Sequence, residues 1–422
     1  MKTTYRILPV YTGDVSGTCS ALYEYGGMVV IHDPSGCNST YNTHDESRWY
    51  DKESRIYISG LNEVDAVTGN DEKFINDIMF AAKEVKPKFI AMTNSPLPYL
   101  NGTDFKGIAK LLEKRLGIPV FYVKSNGSHD YSCGAGDAFL ELAKKYLGNL
   151  CVEDDIENHA GDKKGACSAE SFAKKQNSKR TKINILGLTP LDFDKPGVVD
   201  SLLKKLEDYE IISTWGIGGN LPDLEKSIVA NFNLVVSVTG LKAAEWMKER
   251  FGIPFVCGVP ICDTNETFSD CAVGAGTISV KSEIMDVVSD MSNDNSDLSE
   301  DGRKVYLVGE PVFMSSLAKY INSTFVRDNR IQSFKTIVVN PLETQVSFAD
   351  IATVGEEDLE EVLSGADVVI GDPFYKYVTP ENASFIEMSH LAFSGRCFLK
   401  ERRNLFSDEL EEFIREFKKV LE

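Results

Sequence analysis

The chain is poor in histidine, with five in 422 residues, and it has no apolar run approaching the ~20 residues that cross a bilayer. Its opening stretch, MKTTYRILPVYTGDVSG, lacks the hydrophobic segment of a secretory signal, so a cytoplasmic protein is expected. Basic residues are in deficit. Against 64 Asp and Glu there are 45 Lys and Arg, and the net charge of −19 argues against a nucleic-acid partner, whose phosphates need clustered cations. No Walker A loop is present, so the chain is not read as an ATPase itself. His-Glu-x-x-His, Gly-x-Ser-x-Gly and Cys-x-x-Cys are also missing, which removes the usual signatures of zinc peptidases, serine hydrolases and dithiol sites. The nearest approach to a dinucleotide fingerprint, Trp215-Gly216-Ile217-Gly218-Gly219-Asn220, lacks the third glycine at the required spacing and reads as a turn.

What is present describes a soluble α/β protein. Hydrophobic residues make up 42% and charged residues 26%, and the length exceeds what one core holds. Short β-branched runs alternate with amphipathic stretches. Strands are expected at 28–33, 88–93, 119–124, 182–189, 211–217, 234–239, 254–259, 304–310, 335–340 and 367–372. Between them FINDIMFAAKEV, KGIAKLLEKRL, VVDSLLKKLEDY and LKAAEWMKERF carry apolar residues at helical spacing. This alternation predicts three Rossmann-like domains with mostly parallel sheets flanked by helices.

Polar segments near 151–180 and before Arg303 suggest the boundaries: 1–175, 176–300 and 301–400, then a terminal amphipathic helix within 401–422. EKRLGIPVFYV and KERFGIPFVCGV echo each other because each joins a helix to a strand through a Gly stop and a Pro.

Nine cysteines without a secretion signal imply thiols, metal ligands or core filler rather than disulfides. Two stand out. Cys19 lies in SGTCSALYEYGG and is expected at the edge of a glycine-bearing turn. Cys37 follows the strand 28–33 and the turn Pro34-Ser35-Gly36, at the carboxyl end where open sheets bind ligands. Each is either a cluster ligand or a buried apolar thiol. Cys257 reads as core, whereas Cys262 and Cys271 are ambiguous. His129, in SNGSHDYSCGAGDAF, opens a helix and could present backbone N–H groups to a cofactor. His390 lies beside Arg396 in EMSHLAFSGRCF. His32 reads as a satisfied core residue.

These segments resemble the component 1 subunits of nitrogenase and their relatives, among them the dark-operative protochlorophyllide reductases, the nickel-sirohydrochlorin diamide reductive cyclase and cofactor-assembly scaffolds. The resemblance runs from about Gly13 to Phe398. Cys19 and His32-Asp33-Pro34-Ser35-Gly36-Cys37 look like the family's first two cluster-cysteine segments, and Asn62–Asn70, with Gly69, like the stretch that follows. Asn101-Gly102-Thr103-Asp104 and GSHDYSCGAGDAF take the places of later family motifs, and SHLAFSGRCF is similar to a closing His-x-x-x-Ser-Gly-Arg-like segment.

The resemblance implies metal ligands at Cys19 and Cys37, with Cys133 beside them, cofactor contacts at Gly36, Gly69 and His129, and catalytic residues His390 and Arg396 in a substrate cavity. The departures matter as much. Pro96 stands where the third cluster thiol is expected, which points to a single [4Fe–4S] cluster shared by two subunits, with Cys133 or a carboxylate such as Asp33 as a further ligand. Ser237 stands where the catalytic subunit of nitrogenase has the thiolate of its large cofactor, so dinitrogen is not the implied substrate. The implied partners are a homodimeric or heterodimeric related subunit and an ATP-dependent iron–sulfur reductase. The alternatives are a metallocluster or tetrapyrrole scaffold without catalysis, or a metal-free binding protein.

Overall fold

The computed structural model describes residues 5–36, 46–150, 180–261, 274–275, 302–325, 333–398, 400 and 402–422. Among them lie three sheets. The first comprises β1 (Met28–His32), β2 (Ile56–Ile58), β3 (Ile90–Asn94) and β4 (Val120–Tyr122), in the spatial order β2-β1-β3-β4 and all parallel. The second contains β5 (Lys182–Leu188), β6 (Glu210–Gly216), β7 (Phe232–Val235), β8 (Phe255–Cys257) and β9 (Gly274–Ala275), ordered β6-β5-β7-β8-β9 with β9 antiparallel. The third holds β10 (Arg303–Val308), β11 (Phe334–Asn340), β12 (Ile351–Ala352), β13 (Val368–Gly371) and β14 (Ser384–Glu387), in the order β12-β11-β10-β13-β14 and all parallel. The ten expected strands are present, the one expected at 234–239 lying two to four residues earlier as β7; β2, β9, β12 and β14 are additions of two to four residues, too short to give a readable pattern.

The central strands are continuous apolar runs because both their faces are covered. On one face of the first sheet, the helices Asp71–Val85 and Phe105–Leu116 bury Phe74, Ile78, Ile108 and Leu112. Across the other lie Asp14–Leu22 and Tyr131–Leu147, which cross where both lack a side chain. A Cβ on Gly17 would fall 2.1 Å from the Tyr131 carbonyl oxygen, and one on Gly134 would fall 1.8 Å from that of Asp14. The two echoed Gly-Ile-Pro junctions are helix stops, with Gly117 and Gly252 at φ +69° and +73°.

The C-terminal helix Glu409–Leu421 packs Phe413, Phe417 and Leu421 into the core that joins the second and third sheets. No helix among the described residues is long and apolar enough to cross a membrane. In each sheet the connections reverse direction once, at β1/β3, β5/β7 and β10/β13. Such reversals open crevices at the carboxyl ends of the strands, where ligands bind in open α/β sheets.

Candidate functional site

A cleft of about 1040 Å³ lies at the carboxyl end of the first sheet. Asp33, Pro34 and Gly36 enter it from the end of β1, and Ser95, Pro96 and Leu97 from the end of β3. His129 and Asp130 line it from the loop before helix Tyr131–Leu147, Leu342 and Glu343 from the third domain, and Tyr5 and Tyr11 from the N-terminal segment. The turn after β1 is tightly formed: Ser35 adopts φ +79° and donates its N–H to Asp33 Oδ2 at 2.9 Å. A non-glycine residue in that region costs about 1 kcal/mol or more, and such strain concentrates at functional sites. The loop under His129 hangs on the buried carboxylate of Asp14, which accepts from the N–H groups of Asn126 and Gly127 at 2.9 and 3.0 Å.

Gly36 and Pro96 thus face one cleft, so the turn leading to Cys37 and the position of the missing third thiol are neighbours across the β1/β3 switch. Cys37 itself lies outside the described residues, as do Cys262 and Cys271. Cys19 is not at a turn edge as expected; it lies within the helix Asp14–Leu22 and is 2% exposed. Gly17 and Thr18 make that stretch a poor helix by propensity, and its packing on helix Tyr131–Leu147 overrides them. Burial, then the nearby Glu46 carboxylate, push the Cys19 thiol far up. Glu46 is held over this helix by Arg48, which bonds Glu46 Oε1 at 2.7 Å, Glu24 Oε1 at 3.1 Å and the Ser20 carbonyl at 2.7 Å.

A second crevice, of about 60 Å³, lies where the second and third sheets meet. Its centre is Asp192. One carboxylate oxygen accepts from Tyr131 at 2.5 Å and meets His390 Nε2 at 3.1 Å; the other accepts from Ser237 Oγ at 2.8 Å and Thr189 Oγ1 at 3.1 Å. Glu310, fully enclosed, accepts from the N–H groups of Val238 and Phe313 at 2.9 and 2.7 Å; burial and the charge of Asp192 push its carboxyl up to about 8. Ser237 and His390 both reach the carboxylate of Asp192. A hydroxyl stands where the resemblance sets the thiolate, His390 Nε2 is engaged by Asp192 while its buried Nδ1 has no hydrogen-bond partner, and the remaining space admits a few waters and no metallocluster. The residues do not fit nitrogenase's large cofactor.

The other expected residues scatter. Gly69 ends the short helix Glu63–Thr68 at φ +64° on the surface, and Arg396 is exposed in a turn; neither lines either crevice. Cys133 lies in the first turn of helix Tyr131–Leu147, close to His129 and Glu343 at the rim of the cleft. His32 is a core residue: its Nδ1 meets Ser59 Oγ at 2.8 Å, its ring packs 4.0 Å from that of Phe74, and burial holds its pKa at about 4. Asp192, Glu310 and Glu343 were not anticipated. A signal existed for one of them, because the strands β1, β10 and β13 run into Asp33-Pro34, Glu310-Pro311 and Asp372-Pro373.

Three Rossmann-like units, with the first sheet's switch point at one crevice and those of the second and third at another, define a multidomain α/β protein. A sequence profile of the nitrogenase component 1 type oxidoreductases matches residues 25–324, and the chain belongs to that family. It is 21% identical to the nitrogenase molybdenum-iron protein beta chain of Methanothermobacter thermautotrophicus, over 70% of this chain and 66% of that one. To the nitrogenase iron-molybdenum cofactor biosynthesis protein NifN of Rippkaea orientalis it is 22% identical, over 87% and 84%. To a light-independent protochlorophyllide reductase polypeptide of Chloroflexus aggregans it is 28% identical, over 46% and 38%. The chain thus spans from well under half to more than four-fifths of these relatives. The fold is that of a solved nitrogenase, Cp1 at pH 6.5, at a TM-score of 0.61 and 15% identity over all of this chain and 94% of the other.

Proposed function

We propose that this chain is a redox subunit of a nitrogenase-like assembly. Cys19 and Cys37, with thiolates of a second related subunit, hold a [4Fe–4S] cluster that an ATP-dependent iron–sulfur reductase charges. The substrate is reduced in the 1040 Å³ cleft and not in the interdomain centre. The observation carrying this reading is the contrast between the two crevices. The interdomain centre is filled by its own hydrogen-bonded side chains, whereas the cleft is open and has at its wall Gly36, the residue before Cys37. The donor chemistry suits iron: Cys19 offers a soft thiolate from a rigid, water-shielded helix, and no thiol replaces Pro96. When bound, the cluster supplies one-electron transfer; the chain's own residues hold it dry and shape the cleft.

Iron and acid-labile sulfide, with EPR after dithionite reduction, test the reading on anaerobically purified wild type and Cys37→Ser. About four irons per pair of subunits is expected, as a four-thiolate cluster requires, with the signal lost in the variant. An iron-free wild type after cluster reconstitution overturns it.

A scaffold that hands a cofactor to another protein is the second reading. It is favoured by the likeness to NifN and by the interdomain centre that admits no cofactor. Steady turnover with a reductase separates the two.

A further inference from the structure

His129, Cys133 and Glu343 bring an imidazole nitrogen, a thiol sulfur and a carboxylate oxygen within 4.8 Å of one another. They come from two domains. His129 precedes helix Tyr131–Leu147, Cys133 lies in its first turn, and Glu343 follows β11 in the third domain. The backbone around them is held by other groups. Asp130 caps the helix with one oxygen, accepting from Ser132 N at 2.9 Å, and with the other accepts from the N–H of Glu343 at 2.7 Å. Ser132 Oγ meets Thr344 Oγ1 at 2.8 Å, and the His129 carbonyl accepts from Asp14 N at 2.9 Å. The three side chains are therefore presented together by a latch that does not include them.

Their separations suit a metal. Nδ1 of His129 lies 2.7 Å from Glu343 Oε2, and Sγ of Cys133 lies 3.9 Å from the same oxygen. Around a tetrahedral zinc ion, bond lengths of about 2.0–2.3 Å set neighbouring donors roughly 3.3–3.6 Å apart. Side-chain adjustments at His129 and Glu343, which are half exposed, reach that arrangement. An exposed His–Glu pair is by itself worth little, about 0–1 kcal/mol, and leaves the thiol unexplained. Burial, then Asp130, push the Cys133 thiol up to about 11, with Glu343 adding to the rise and Lys242 opposing it.

We propose that His129, Cys133 and Glu343 form a mononuclear site for a borderline divalent transition ion of the zinc class, pinning the first domain to the third at the rim of the cleft. Mixed sulfur, nitrogen and oxygen donors select such an ion over calcium or magnesium. Three protein ligands leave a fourth position for water or a ligand, the arrangement of catalytic rather than structural zinc. His129 and Glu343 both line the cleft, so an ion here meets whatever the cleft holds. The site uses neither Cys19 nor Cys37, and it assigns Cys133, which the resemblance offered as a further cluster ligand, to a separate ion.

Cobalt(II) is the probe, added anaerobically to iron-free full-length protein, with the thiolate-to-cobalt charge-transfer band as readout. The band is expected to saturate in wild type and in Cys37→Ser, and zinc is expected to displace the cobalt. Cys133→Ser removes that band. His129→Ala, at an exposed position that leaves the fold intact by circular dichroism, weakens binding about tenfold or more, the loss that even an outer partner of a ligand causes. With nine cysteines in the chain, a band undiminished in Cys133→Ser assigns the cobalt to another thiol and overturns the site. Affinity unchanged in His129→Ala overturns it equally.

Discussion

Ser237 and His390 are tied to opposite oxygens of one carboxylate, the Ser237 hydroxyl donating to Asp192 Oδ2 at 2.8 Å and His390 Nε2 meeting Oδ1 at 3.1 Å. Ser237 comes from the second domain and stands where the resemblance sets the thiolate of a large cofactor; His390, from the third, is the residue it assigns to a substrate cavity. Here a side chain of the chain itself joins them, and the space closes. The interdomain centre is a polar core of hydrogen-bonded side chains, whereas the cleft beside Gly36 is open.

The same centre makes stability depend on pH. Glu310 keeps its proton to about 8, through burial first and the charge of Asp192 second, while an unfolded glutamate titrates near 4.5. Between those values the folded state binds more protons than the unfolded one, so stability falls as pH rises through this window, by on the order of a few kcal/mol. Urea midpoints of wild type should decline from about pH 5 to about pH 9, and Glu310→Gln should flatten the decline. Asp192→Asn removes the repulsion and lowers the Glu310 pKa, but not to its ordinary value, because burial remains. Parallel pH slopes in wild type and Glu310→Gln would refute the assignment.

The crossing of the helices Asp14–Leu22 and Tyr131–Leu147 rests on the absence of two side chains. Gly134→Ala places a methyl group 1.8 Å from the Asp14 carbonyl, and both helices must move apart. A loss of about 1–3 kcal/mol or more is expected by denaturant unfolding, as for other overpacked cores. Gly36→Ala is the contrast, because nothing lies within 4 Å of its added Cβ. It should change stability by about 0.5 kcal/mol or less. Equal effects of the two substitutions would mean that the helix crossing is not as close as described.

Much of the fold is legible in the sequence because the central strands are long, apolar and β-branched, and because Gly117 and Gly252 end helices by a local rule. The edge strand β14, SFIE, carries too little apolar pattern to be read. The helix around Cys19 reads as a turn for a physical reason: Gly17 lowers local propensity, and its value lies in a contact with Tyr131 that no local pattern encodes. Site chemistry divides the same way. Ser237 and His390 can be placed by resemblance, but Asp192 between them follows only from three domains packing together. Glu343 likewise gains meaning from His129 and Cys133, which lie more than 200 residues earlier in the chain.

Arg48 governs the cover over Cys19. Its guanidinium, 9% exposed, joins Glu46 and Glu24 and also reaches the Ser20 carbonyl. Arg48→Met leaves both buried carboxylates without that cation, and removing one partner of a buried ion pair costs about 3–5 kcal/mol. Lysine cannot reproduce the fork, so Arg48→Lys should recover only part. If Cys19 binds the cluster, iron content should fall in step with stability across Met, Lys and wild type, although Arg48 offers iron no donor. Iron retained in full by a destabilised Arg48→Met would separate Cys19 from the cluster.

The N-terminal wall of the cleft depends on Glu356. One of its oxygens accepts from the N–H groups of Arg6, Ile7 and Leu8 at 2.8, 2.9 and 2.9 Å, and the other meets the Arg6 guanidinium at 3.2 Å. Burial acts to raise its pKa, but the three N–H groups and Arg6 prevail and hold it at about 2. Because this pKa lies below the unfolded value, the contribution is complete above about pH 4.5 and is lost as pH falls towards 2. Glu356→Gln keeps the shape but not the charge, so the acid-sensitive component should vanish and neutral-pH stability should drop. Hydrogen-exchange protection at Ile7 and Leu8, taken relative to the intrinsic rate at each pH, gives the local readout: high in wild type at neutral pH, reduced in wild type near pH 2, and low in Glu356→Gln throughout. Tyr5 and Tyr11 flank these amides and line the cleft, so the same variant should loosen the wall against which any cleft ligand rests. Protection of Ile7 and Leu8 that persists in Glu356→Gln would show that the segment is held by something other than this carboxylate.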